Sequence, residues 1–186
     1  MDFTMSDRQK DWLGRVQAFM TKHVRPAVPI YKQQDAEGPR WKVIPVLEDL
    51  KKKARAEGLW NMFMPPNAHE DDEFRGAGLT NLEYAPLAEE MGHIGFASEV
   101  FNCSAPDTGN MEVFMRYASK EQKRKWLRPL MDGEIRSVFL MTEPWSPPPT
   151  PPTSNAASRG TATTTSSMGV SGGRPASAIP AARSRS

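Results

Sequence analysis

The chain has 186 residues, of which 38% are hydrophobic and 25% charged, with a net charge of +2 and one cysteine; that is enough chain for one domain with a core of its own. The charge is unevenly spread: Met1 to Pro144 carries a net −2, whereas Trp145 to Ser186 holds four Arg and no acidic residue. The body has no basic stripe interleaved with aromatics, no apolar leader and no apolar run near the ~20 residues that span a bilayer, so neither nucleic acid nor membrane is an expected partner. The lone Cys103 has no disulfide partner, which points to a reducing compartment and a cytoplasmic location.

In chain order, Ser6 with Gln9 forms a capping-box pattern before Trp12, Val16, Phe19 and Met20, which recur at helical spacing until Pro26 and Pro29 are expected to interrupt. A second helix is predicted over "VIPVLEDLKKKARAEG", with Pro45 in its first turn, an apolar face of Val46, Leu47, Leu50 and Ala54, and Gly58 as its stop. Lys51, Lys52 and Lys53 read as its solvated face. "LWNMFMPP" is an apolar connection, and "NAHEDDEFRGAG" a polar loop in which His69 and its acidic neighbours lack the fixed spacing of metal ligands, so no metal site is expected.

Thr80 with Glu83 opens a third helix through Leu82, Ala85, Leu87, Ala88 and Met91 to Gly92, bent at Pro86. "FNCSAPDTGN" reads as a turn-rich loop built on Pro106 and Gly109, followed by a short helix through Met111, Phe114 and Met115. Ser119 with Gln122 opens a last helix that turns Trp126, Leu127 and Leu130 inward and stops at Gly133. The period then changes, and Ile135 to Met141 reads as an apolar strand leaving a helical body.

The blocks "KARAEGLWNMFMP", "GLTNLEYAPLAEEMG", "SEVFNCSAPDTGNMEVFMRY" and "EIRSVFLMTEP", in this order, resemble the acyl-CoA dehydrogenase family, in particular its branch that stands alone in bacteria and is fused to a phosphotransferase-like domain in animals. The resemblance covers Met1 to Pro144 and implies an all-α fold class, with an N-terminal helical bundle over residues 1–134 followed by the first strand of a middle β-domain over 135–144; residues 145–186 read by composition as a disordered tail. It also implies an FAD-dependent oxidoreductase of fatty acid metabolism that takes an acyl-CoA substrate and removes a proton from Cα and a hydride from Cβ. By motif position, Phe139, Met141, Thr142 and Glu143 would contact the flavin, whose hydride affinity such groups tune. The "FNCSAPDTGN" loop would lie near the acyl pocket. The family's catalytic carboxylate belongs to a C-terminal bundle that these residues do not match, so no catalytic residue is assigned. Glu89 and Glu90 do not substitute, because adjacent helical residues point about 100° apart. The family forms homo-oligomers largely through that bundle, so none is expected of this stretch alone.

The tail, "WSPPPTPPTSNAASRGTATTTSSMGVSGGRPASAIPAARSRS", is too poor in large apolar groups to offset the entropy of ordering. The genetic code offers a sharper account. If each tail codon joins the last two bases of one proper codon to the first base of the next, "SPPPTPPTS" permits "VASSDATNI", "TATTTSSMGVSGG" permits "DGDDYVINGRKWW", and "RPASAIPAA" permits "ASGIGDPRC". These are family-like β-domain segments, in order and under one shift, and the tail therefore reads as out-of-frame translation. The chain as written is then expected to be inactive and to leave its strand as an unpaired edge. The competing reading is a non-enzymatic helical module with a weakly basic tail; four widely spaced Arg make a poor electrostatic patch for it.

Overall fold

The computed structural model describes residues 4–39, 42–66, 73–140 and 168–172. Eight α-helices, two π-helical turns and a two-stranded sheet make up the described residues: α1 (Asp7–Phe19), a π-turn (Met20–Val24), α2 (Arg25–Ala36), α3 (Pro45–Ala56), α4 (Asn81–Gly92), α5 (Ala97–Val100), α6 (Asp107–Tyr117), α7 (Lys120–Gln122), a second π-turn (Lys123–Leu127), α8 (Arg128–Met131), β1 (Ile135–Phe139) and β2 (Met168–Gly172). The body is helical and a strand follows it, as the sequence predicts.

The local signals hold where they depend on a few neighbouring residues. Ser6 with Gln9, Thr80 with Glu83, and Ser119 with Gln122 are all complete capping boxes. Gly58 and Gly133, at φ +69 and +68, close α3 and α8. In both cases the amide after the glycine bonds the carbonyl five residues back, Leu59 to Ala54 and Glu134 to Pro129 at 2.9 Å each, and the glycine amide bonds the carbonyl three back. These are two Schellman stops.

The prolines behave differently from expectation. Pro26 and Pro29 do not interrupt the first helix, which runs on through the π-turn into α2, with only Pro29 fully inside a helical segment. The last helix likewise contains a π-turn, and each π-turn is followed by Arg-Pro, Arg25-Pro26 and Arg128-Pro129. A proline lacks the donor for the carbonyl four residues back and its ring crowds that carbonyl; a wider turn just before it lets the axis continue. Helix α6 begins at Asp107, so Gly109 is helical rather than part of a turn. Ala105–Pro106 is a cis peptide.

One core joins these helices. Phe19, Met20, Leu59, Met62, Met64, Phe74, Leu79, Leu87, Phe101, Met111 and Leu127 are all essentially sealed from solvent, and Phe19 meets Phe101 edge-on at 5.2 Å. The apolar "LWNMFMPP" connection thus contributes Leu59, Met62, Phe63 and Met64 to the core. Leu82, one of the apolar residues that mark α4 in the sequence, points outward at 59% exposure. Gln9 in turn is buried in α1 and donates to the Leu82 carbonyl of α4 at 2.7 Å.

Strand β1 ends at Phe139, and Met141 lies outside the described residues. The strand is not an unpaired edge. It pairs antiparallel with β2, with Ile135 opposite Gly172 and Phe139 opposite Met168. An open row of backbone donors and acceptors recruits any uncharged, proline-free segment within reach, and "MGVSG" is such a segment inside the otherwise proline- and serine-rich tail. The rest of the tail and the loop holding His69 lie outside the described residues.

Candidate functional site: the end of the first strand

The site suggested by sequence is the end of β1. Phe139 is its last residue and half-exposed; Met141, Thr142 and Glu143 lie outside the described residues. Val138, Phe139 and Leu140 are exposed at 45%, 50% and 57%. Successive strand residues face opposite sides, so both faces of the strand end are bare among the described residues. Three consecutive uncovered apolar residues fit a planar aromatic group or a further packed layer.

The root of the strand is held differently, by residues the sequence reading did not single out. Asp107, with a side chain only 1% exposed, opens α6 and accepts three hydrogen bonds: from the Ser137 amide at 2.7 Å, the Ser137 hydroxyl at 2.6 Å and Arg136 Nε at 2.7 Å. Asn110, one turn along α6, donates to Ser137 Oγ at 2.8 Å. Arg136 also pairs with Glu99 of α5 through Nη1, and Lys51 of α3 bridges Glu99 at 2.9 Å and Glu48 at 2.7 Å. Charges thus alternate from α3 through α5 and β1 to α6. Burial pushes the Glu99 carboxyl up, but Arg136 and Lys51 outweigh it and hold it below the usual carboxylate range.

Lys51 is therefore not part of a solvated face; its side chain is only 15% exposed. A charged residue inside an apolar strand, Arg136, was the available signal for this network. Its partners, however, lie 29 and 37 residues away in sequence, beyond the reach of local pattern.

A second polar cluster fixes where β1 starts. Trp60 Nε1 and Asn61 Nδ2 donate to the Met131 carbonyl at 2.7 and 2.8 Å, and Asn102 Nδ2 donates to the Leu130 carbonyl at 3.1 Å. The orphan carbonyls at the end of α8 are thereby satisfied four residues before the strand.

Glu89 and Glu90 do not act together: Glu90 pairs with Arg25 at 2.8 Å, and Glu89 is exposed. The "FNCSAPDTGN" segment contributes the buried Asn102, Cys103, Asp107 and Asn110, so it is packed structure rather than a surface turn. A shallow cleft of about 270 Å³ between α2 and α3, floored by Ala27, Ile30 and Leu50, lies apart from the strand end. Among the described residues no cluster of His, Cys, Asp and Glu could hold a metal, and no helix is long and apolar enough to cross a membrane.

Comparison with known proteins agrees with this geometry. The family described as acyl-CoA dehydrogenase, N-terminal domain, matches residues 6–134. Acyl-CoA dehydrogenase family member 10 of Mus musculus is 54% identical over 126 residues, covering 68% of this chain and 12% of that protein. A Mycobacterium tuberculosis protein assigned as acyl-CoA dehydrogenase FadE2 is 47% identical over 147 residues, covering 77% of this chain and 34% of that one. A solved candidate acyl-CoA dehydrogenase of Mycobacterium abscessus superposes with a TM-score of 0.66 at 46% identity, covering 77% of this chain and 36% of the other. The chain thus spans about a third or less of the length of these relatives. With the helical architecture, the strand at its end and these matches together, the chain belongs to the acyl-CoA dehydrogenase family, and residues 6–134 form its N-terminal domain.

Proposed function

We propose that the chain carries the N-terminal helical domain, and the first strand of the middle domain, of a cytoplasmic FAD-dependent acyl-CoA dehydrogenase. FAD, when bound, supplies the hydride acceptor for α,β-dehydrogenation of an acyl-CoA thioester. In this reading the helical body holds β1 by its root and presents the strand end, with Phe139 followed by Met141, Thr142 and Glu143, to the flavin. The observation that carries the reading is the bare apolar end of β1, Val138 to Leu140, standing immediately before the "MTEP" motif.

The base that takes the Cα proton belongs, in the family, to a C-terminal bundle with no counterpart among these residues, so this stretch alone does not catalyse dehydrogenation. Residues 145–186 are read as the middle domain translated out of frame, and β2 as a stand-in that covers one edge of β1. Two measurements test this. The purified 186-residue chain, mixed with FAD and passed through gel filtration, is expected to emerge colourless; stoichiometric yellow protein would overturn the inactive-fragment reading. Sequencing the gene across the codons for Leu140 to Thr150 decides the frame. A product with the frame restored is expected to hold FAD, and a restored product that purifies colourless sinks the flavin assignment itself.

A further inference from the structure

We propose that Asp107 is a positioning residue that sets the direction and register of β1, and through it the aim of the strand end; what the strand is aimed at rests on the flavin reading above. A carboxylate 1% exposed is costly to bury unless its oxygens are satisfied. Asp107 meets that demand almost wholly from one dipeptide of the strand, taking the Ser137 amide and hydroxyl on Oδ1 and Arg136 Nε on Oδ2. Arg136 and Ser137 project to opposite faces of the strand, so the carboxylate grips it across its edge.

A slip of β1 by one residue would exchange those faces and break all three bonds at once. The Ser137 amide is also committed to a side chain, which blocks that point of the edge to another strand. Asn110 adds a fourth bond at the same place, to the Ser137 hydroxyl, which accepts from Asn110 while donating to Asp107. The two contacts from α6 therefore converge on one residue, two positions before Phe139. Beyond that residue the side chains of Val138 and Phe139 are half-exposed, and the strand is accompanied by its backbone ladder to β2.

The test is amide hydrogen exchange followed by NMR on the full 186-residue chain and on Asp107→Asn, Ser137→Ala and Ser137→Thr. Losing a hydrogen bond to a buried charge is expected to speed exchange at Ser137 to Phe139 by about tenfold or more in Asp107→Asn, with amides of α1, α3 and α4 unchanged. The Ser137 amide proton, donating to a charged oxygen in the wild type, should move upfield in the same variant. Ser137→Ala should reproduce part of the loosening, and Ser137→Thr, which keeps the hydroxyl, should restore wild-type exchange. Unchanged β1 exchange in both Asp107→Asn and Ser137→Ala overturns the proposal. So does faster exchange spread evenly over the bundle, or a threonine variant as loose as the alanine one. Should Asp107→Asn not fold, the two Ser137 variants still decide. None of these readouts depends on flavin, whereas a colourless frame-restored protein would count against the flavin reading alone.

Discussion

Asn102 donates its side-chain amide to the side-chain oxygen of Asn61 at 2.7 Å, and both residues sit in the left-handed region, at φ +54 and +53. Asn tolerates that conformation better than other residues with a Cβ, and here both also reach carbonyls at the end of α8. Asn102→Ala removes the bonds and keeps the strained backbone, so a loss of about 2–4 kcal/mol is expected from urea unfolding. Asn102→Gly should lose about 1 kcal/mol less, because glycine relieves the backbone term. An alanine variant within about 0.5 kcal/mol of wild type would show that the pair does not hold the helix end.

Two glycines should respond to alanine with opposite signs. A Cβ on Gly76 would lie 2.3 Å from Met64 Cβ and 2.9 Å from the Asn61 carbonyl oxygen, and neither atom is the end of a flexible side chain. Gly76→Ala is expected to cost at least about 1–3 kcal/mol. Gly109, inside α6, has nothing within 4 Å of its added Cβ. Gly109→Ala should stabilise by about 0.5–1 kcal/mol, since alanine favours helix and restricts the unfolded chain. Thermal melts of the two variants check this, and a destabilised Gly109→Ala would contradict its open surroundings.

What the sequence made legible follows the range of each interaction. The three capping boxes and the stops at Gly58 and Gly133 were readable because each involves residues within one turn. Pro26 misled because the rule that prolines break helices holds for regular α-turns, and a π-turn precedes it; Pro29 is carried inside α2 itself. Lys51 looked solvated because its helix neighbours are charged, but the partner that buries it, Glu99, is 48 residues away. The strand was legible from its apolar, β-branched pattern, and a role for its end was suggested only by resemblance to a family; its anchor at Asp107 was legible through neither route, since an acidic residue after Pro106 looks like any helix start. Strand β2 was missed because its composition is that of a tail; its pairing is supplied by the edge of β1.

Glu99 makes the anchoring network sensitive to acid. Its folded-state pKa is lowered, with Arg136 and Lys51 outweighing burial. The stabilisation it provides is therefore fully present above an unfolded value of about 4.3 and is lost as pH falls through the lower folded value. Urea midpoints are expected to fall between about pH 5 and pH 3 more steeply in wild type than in Glu99→Gln, which at neutral pH should be the less stable of the two. Parallel slopes for both proteins would mean that the charge of Glu99 contributes nothing to holding α3, α5 and β1 together.

Cys103 sets the alkaline side. Its thiol is buried, donates to the Phe101 carbonyl at 3.3 Å and lies beside Tyr84. Burial pushes its pKa up to about 11, and burial together with the neighbouring Cys103 raises that of Tyr84 as well. For an acid group raised on folding, the contribution to stability is complete below the unfolded value, about 8.5 for a thiol, and disappears as pH rises through the folded one. Stability should thus decline from about pH 8.5 upward, and Cys103→Ala should flatten the first part of that decline while leaving the part due to Tyr84. The same burial withholds the thiolate from reagents. At pH 8 an aromatic disulfide reagent should label the native chain only as fast as the region around Cys103 opens, and urea just below the unfolding transition should accelerate labelling in step with the unfolded fraction. Labelling as fast as that of a free thiol in buffer would place Cys103 outside the core and remove the basis for the alkaline prediction.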